Sequence, residues 1–217
     1  MKLLYAVVVA ALPVGLEAQD PAPVLAAAES RYAEIRTLTA HFTQIIENPM
    51  LGGPEQTTGV LFLSPPGRFA MRFTDPEGDR IVADGEWLWL FNPSTIDDQV
   101  IRTAIPEVGA ATPNLFAQFV DNPRERYHVT RVDGTRTAGR DVHRLRLVPK
   151  SEDLPFREAT IHVDALDGML RAIEVVEQSG QKRYLEFRDF IQNQPIPEAE
   201  LMFTPPPGVR VVTPHGL

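Results

Sequence analysis

Five histidines, His41, His128, His143, His162 and His215, are the side chains of this 217-residue chain best suited to hold a metal or move a proton near neutral pH. They are scattered singly. No two stand four apart, the spacing that would put both on one helical face. On strand faces and rims they read as ordinary surface residues rather than metal ligands. The adjacent pair Asp97-Asp98 could supply half of an acid–base couple, but neighbouring strand residues point to opposite faces, so a solvated loop fits it better. None of the five serines sits in a G-x-S-x-G elbow, and Ser64 stands before two prolines. Neither G-x-G-x-x-G nor a P-loop is present to cradle a nucleotide. Cysteine is absent, which removes thiolate catalysis, Cys-based zinc sites and any thiol for lipid attachment. The chain is therefore expected to be neither an enzyme nor a metal or cofactor protein.

The informative signal is an excess of apolar residues on strands. In Ile81 to Pro93, Asp84-Gly85 is a tight-turn pair. After it, Trp87, Trp89 and Phe91 fall on one strand face and Leu88 and Leu90 on the other. An antiparallel strand normally offers water one polar face, so each side here needs a cover. Either ordinary core and a packed helix provide it, or one face is the wall of a cavity.

Other elements frame this hairpin. Residues 20 to 37 read as an amphipathic helix opened by Asp20-Pro21, with Leu25, Ala28, Tyr32 and Ile35 at helical spacing. From Leu38 the period becomes two, and Gly59 to Ser64 is a strand apolar on both faces. Phe69, Met71 and Phe73 then alternate with Arg68, Arg72 and Thr74. Gln99 to Thr103 is a further strand, Ile105 to Ala111 a loop, and Thr112-Pro113 opens a short helix carrying Leu115, Phe116, Phe119 and Val120. A meander follows, with strands near 126–131, 140–148, 156–164, 169–176 and 181–191. Its breaks are expected at Asp133-Gly134, Ser151 to Pro155, Asp167-Gly168 and Ser179-Gly180. No linker or repeat divides the chain. The pattern predicts a mainly β fold with a helical lid: one open, incomplete antiparallel β-barrel of about ten or eleven strands, with two or three short helices over its concave face.

Lys2 and the apolar run Leu3 to Leu12 resemble an export signal, too short to span a bilayer and expected to be cleaved after Ala18. Residues 1–18 are thus assigned to a signal peptide and 19–217 to the barrel. A net charge of -8 disfavours nucleic acid and anionic membrane surfaces as partners. A soluble, acidic, exported barrel with a greasy interior suits transport of a lipid chain. Sixteen methylenes cost roughly 13 kcal/mol in water at about 0.8 kcal/mol each, and a pocket must recover most of that.

The residues also carry a resemblance. A helix ending in Ile35-x-Thr37-Leu38 leads to Ala40-x-Phe42-x-Gln44, then Gly59-x-Leu61 and Pro66-x-Arg68-Phe69. After these come Val82-x-Asp84-Gly85-x-x-Leu88-Trp89-x-Phe91-Asn92-Pro93, Thr112-Pro113 and Phe203-Thr204-Pro205-Pro206-x-Gly208-Val209. The ordered set is similar to the outer-membrane lipoprotein carrier family (LolA-like) over nearly all of residues 19–217. What the resemblance implies is a monomeric periplasmic chaperone with acyl chains of lipoproteins in its cavity. Cargo would come from an inner-membrane ATP-driven release complex and pass to an outer-membrane acceptor. One departure stands out: where the family places a lid-latching arginine before the proline ending the second strand, this chain has Pro65. A lipid sensor of the same fold, a lipid-acting enzyme and a plain filled core are the alternatives.

The residues expected to line the cavity are Phe42, Leu61 and Leu63, then Phe69, Met71 and Phe73, then Trp89 and Phe91. In the second half they are Leu145 and Leu147, Ile161 and Val163, and Leu185 and Phe187. Leu25, Tyr32, Leu115, Phe116 and Phe119 are the lid candidates. Phe69→Glu separates hollow from solid: the variant is expected to fold without binding lipid if Phe69 faces a cavity, and to unfold if it fills core.

Overall fold

A computed structural model describes residues 20–50, 52–105 and 115–214, without the side chains of Leu115 and Asp133. The assigned signal peptide, the Thr112-Pro113 cap, most of the preceding loop and His215 lie outside the described residues.

Helix α1 (Ala22–Ala33) buries Val24, Leu25 and Ala28. Asp20 Oδ1 accepts the Ala22 N–H at 2.9 Å, so the acidic start signal acts as expected. The helix stops short of residue 37 because Asn193 takes over the backbone there. Its side chain accepts the Arg36 N–H at 2.8 Å and donates to the Glu34 carbonyl at 3.2 Å, satisfying groups the helix leaves open. Six strands follow: β1 (Leu38–Glu47), β2 (Glu55–Ser64), β3 (Arg68–Asp75), β4 (Glu77–Ala83), β5 (Trp87–Phe91) and β6 (Gln99–Ala104). Next come two short helices, α2 (Leu115–Val120) and α3 (Pro123–Arg126). The chain then builds β7 (Tyr127–Thr137), β8 (Arg140–Pro149), β9 (Phe156–Asp164), β10 (Leu170–Glu177) and β11 (Lys182–Gln192). A single 3-10 turn at Glu198–Glu200 precedes β12 (Arg210–Val212).

All twelve strands form one sheet in the order β12-β6-β5-β4-β3-β2-β1-β11-β10-β9-β8-β7, and its two end strands do not pair with each other. The fold is the open β architecture expected, with more strands than ten or eleven. Two local expectations need correction. Asp133-Gly134 does not end a strand: β7 runs through it as an irregularity between Val132 and Thr135, and the turn lies at Ala138-Gly139, both at positive φ. The sheet is also not wholly antiparallel, because β12 pairs parallel to β6.

Parity sorts the side chains onto two faces. The concave face gathers Leu38, Phe42, Leu61, Leu63, Phe69, Met71 and Phe73 with Leu145, Leu147, Ile161, Ile173, Leu185 and Phe187, and the helices pack against it. On the outer face of β2–β6, a second cluster of Phe62, Ala70, Val82, Trp89, Phe91 and Val100 is covered by Leu201 and Phe203. The C-terminal segment is strapped there by Arg68–Glu198 at 2.6 Å and Arg72–Glu200 at 3.4 Å. Outside β8–β11 the face is polar, with pairs such as Arg144–Glu174 and Arg146–Glu158.

Candidate functional site: the lidded concave face

Gly59 shows how tightly the concave face is built. It stands opposite Phe42 in the β1–β2 register, and a Cβ there would lie 2.6 Å from the Phe42 ring and 2.3 Å from the Arg72 carbonyl oxygen. The Phe42 ring therefore lies over bare backbone and meets Phe73 edge-on, with centroids 5.2 Å apart. Above this floor the helices contribute their own rings. Tyr32 of α1 stacks on Phe116 of α2 at 5.1 Å, and Phe116 reaches Phe187 of β11 at 5.0 Å. Phe119 packs with Tyr127 and Phe156 at 6.1 and 5.7 Å. These contacts tie α1, α2 and the sheet into one apolar stack.

Polar ties hold the helices in place. The Tyr32 hydroxyl accepts the Leu170 N–H at 3.4 Å, and burial pushes its phenol well above the ordinary range, so no charge enters the stack. Arg126 donates through Nη2 to the carbonyls of Ala117 and Asp121 at the end of α2. The Tyr127 hydroxyl donates to the Gln118 carbonyl at 3.2 Å. Pro65 makes no such bond, and Arg68 is committed to Glu198 on the outer face. Arg126 and Tyr127, rather than a residue at the end of β2, thus secure α2.

The stack does not fill everything. A groove of about 520 Å³ remains between Glu29, Tyr32 and Ala33 of α1, Phe116, Ala117 and Val120 of α2, Asp121 and Asn122 beyond it, and Leu63, Pro65 and Pro66 at the β2–β3 turn. A methylene takes roughly the ~30 Å³ that a water occupies in the liquid, so there is room for about one chain of sixteen or so carbons. Asn122 holds a left-handed backbone, φ 46 and ψ 49, which bends the chain from α2 into α3 at the groove's rim.

Of the residues expected to line a cavity, the structure brings twelve together: Phe42, Leu61, Leu63, Phe69, Met71, Phe73, Leu145, Leu147, Ile161, Val163, Leu185 and Phe187 share one cluster. Only Leu63 of these borders the groove; the others are closed over by the helices. Phe69, 3% exposed, is solidly packed, so Phe69→Glu is expected to unfold the protein. Trp89 and Phe91 are a correction. They lie on the outer face against Phe203, at 5.4 and 5.6 Å, and Leu88 and Leu90 point to the helices instead. Among the lid candidates, Leu25, Tyr32, Phe116 and Phe119 pack on the concave face; the Leu115 side chain lies outside the described residues.

His162 is a second correction, because it is buried and not at the surface. Its Nδ1 faces the Thr137 hydroxyl at 2.8 Å and its Nε2 faces Glu174 at 2.6 Å, under Arg144 and Tyr184. The strand alternation alone gave it a wet face; the charged neighbours that cover it come from β7, β8 and β10. Among the described residues no group of three His, Asp or Glu side chains is placed to hold a metal ion.

Comparison with known proteins bears on this geometry. Residues 33–204 match the family model described as "Outer membrane lipoprotein carrier protein LolA". The chain belongs to the LolA family. An outer-membrane lipoprotein carrier protein of Chromobacterium violaceum is similar at 29% identity, covering 98% of this chain and 99% of the relative. Another from Edwardsiella ictaluri is 30% identical, covering 84% of each chain. The crystal structure of an uncharacterized conserved protein from Thermus thermophilus shares the fold, with a TM-score of 0.57 at 13% identity over 90% of this chain and all of that one. Within this LolA-family chain, the matched span runs from the end of α1 through every strand but β12. No helix among the described residues is long and apolar enough to cross a membrane.

Proposed function

We propose that the protein is an exported lipoprotein carrier that shelters acyl chains between its helices and the concave face of its sheet. The observation that carries this reading is the groove between α1 and α2, which opens beside the largest apolar cluster of the molecule. Lipoprotein carriage named for its relatives supports it. In the empty form the Tyr32–Phe116–Phe187 stack occupies much of the space. One chain enters the groove, and further chains displace the helical rings, exchanging ring contacts for methylene contacts of similar apolar area.

Residues 1–18 act as a cleaved export signal in this reading, and the mature protein works in the periplasm. It takes cargo from an inner-membrane ATP-driven release complex and delivers it to an outer-membrane acceptor. Its own residues bind and release and perform no bond chemistry. Purified protein offered a triacylated lipopeptide in detergent-free buffer is expected to retain it stoichiometrically through gel filtration, as detected by mass spectrometry. A protein that stays empty while a carrier of the same family loads under the same conditions overturns the proposal.

A further inference from the structure

We propose that the groove selects acyl chains joined to an uncharged, amide-type head and turns away anionic heads, through the carboxylates of Glu29 and Asp121. The inference rests on the carrier reading and names the head group its groove accepts.

The wall residues divide by exposure. Leu63, Phe116 and Val120 are buried and apolar, whereas Glu29, Ala33, Asp121 and Asn122 are exposed. A chain lying against the first set therefore places its head among the second. Glu29 and Asp121 are the charged members of the described lining, and neither forms an ion pair among the described residues. The nearby cations are engaged elsewhere. Arg31 pairs with Glu34 at 3.3 Å and Arg124 with Asp20 at 3.2 Å, while Arg126 donates to the main-chain carbonyls of Ala117 and Asp121. Tyr32 stays neutral because burial raises its phenol. Asp121 accepts from the Asn122 side chain at 3.0 Å and keeps lone pairs toward solvent.

Two unpaired carboxylates beside an apolar slot repel a fatty-acid carboxylate or a phosphate. They accept hydrogen bonds from the N–H groups of an acylated peptide head. Both act through water at a rim, so each carboxylate is worth roughly five- to tenfold against an anion at low salt, and less as salt rises.

The test uses three probes with one twelve-carbon chain: N-dodecanoylglycine amide, which is uncharged, and the anions N-dodecanoylglycine and dodecanoate. Their affinities are measured by calorimetry at pH 8, in low salt and in 0.5 M salt. The wild type is expected to prefer the amide by about 30-fold or more at low salt, with the ratio shrinking in 0.5 M salt. Glu29→Gln with Asp121→Asn is expected to bring the ratio near one, and Glu29→Lys with Asp121→Lys to invert it. Both residues are exposed, and unchanged thermal unfolding confirms folded variants. A wild type that binds all three probes alike, or a preference that survives both double variants, overturns the selectivity and leaves the carrier reading standing. Failure of every probe to bind overturns the carrier reading and the selectivity with it.

Discussion

Phe116→Ala separates a ring that plugs a binding space from a ring that merely completes a core. Phe116 is 3% exposed and bridges two elements, stacking on Tyr32 at 5.1 Å and meeting Phe187 at 5.0 Å. Truncating such a side chain costs about 3–5 kcal/mol, the upper part of that range applying where neighbours cannot collapse. Because α2 is six residues long and held at its end by Arg126 and Tyr127, relaxation is expected and about 3 kcal/mol is the better figure. A domain of this size commonly has about 5–15 kcal/mol in hand, so the variant stays folded for assay. Acyl binding should move the other way. Two ring pairs at about 0.5–1.5 kcal/mol each must be broken before a chain can take the place of Phe116. Removing them in advance tightens binding by about five- to a hundredfold. Urea unfolding measures the first effect, and titration with an uncharged dodecanoyl amide the second. A folded variant whose affinity drops tenfold would show Phe116 to be wall and not plug, and unchanged stability would show the stack to be idle. Either result refutes the reasoning.

Two further predictions concern the frame. The Asp164 carboxyl is buried, which alone would raise its pKa, but Arg140, the N–H groups of Leu166 and Asp167, and Arg171 outweigh burial and hold it far below the ordinary range. Since the folded form releases this proton more readily than the unfolded chain, the stabilisation is complete above about pH 4 and is lost as pH falls below it. Urea midpoints from pH 6 to 2.5 should show that loss in the wild type and a flatter profile in Asp164→Asn, which is about 3 kcal/mol less stable at pH 6; parallel profiles would refute the assignment. Gly59→Ala should cost about 3 kcal/mol or more, because the new Cβ meets backbone at 2.3 Å and not only a movable ring. Thermal unfolding checks it, and a neutral result would mean β2 and β3 can part there without loss.

Strand alternation made most of the concave face legible before any coordinates. Phe69, Met71 and Phe73 opposite Arg68 and Arg72, and Leu145 and Leu147 opposite Arg144 and Arg146, could face inward in only one way. In β5 both faces are apolar, so alternation carried no sign there. What decides it is Phe203, more than a hundred residues later, which covers Trp89 and Phe91 from outside. Long-range cover of that kind leaves no local trace. The same holds for β12, three residues that become a strand by pairing with β6, and for His162, wet by alternation yet buried by charges from other strands. Asp133-Gly134 misled because its turn propensity is real, but Ala138-Gly139 closes the hairpin and leaves the earlier pair as a bulge.

Where the acyl chain rests is the claim on which everything functional depends. A lipopeptide bearing a diazirine midway along one acyl chain, photolysed on the loaded protein and mapped by peptide mass spectrometry, locates it. The account predicts adducts on the groove and the concave face, at Tyr32, Leu63, Phe116 and their neighbours. Adducts concentrated on the outer cluster of Trp89, Phe91 and Phe203, or spread evenly over the surface, would contradict it.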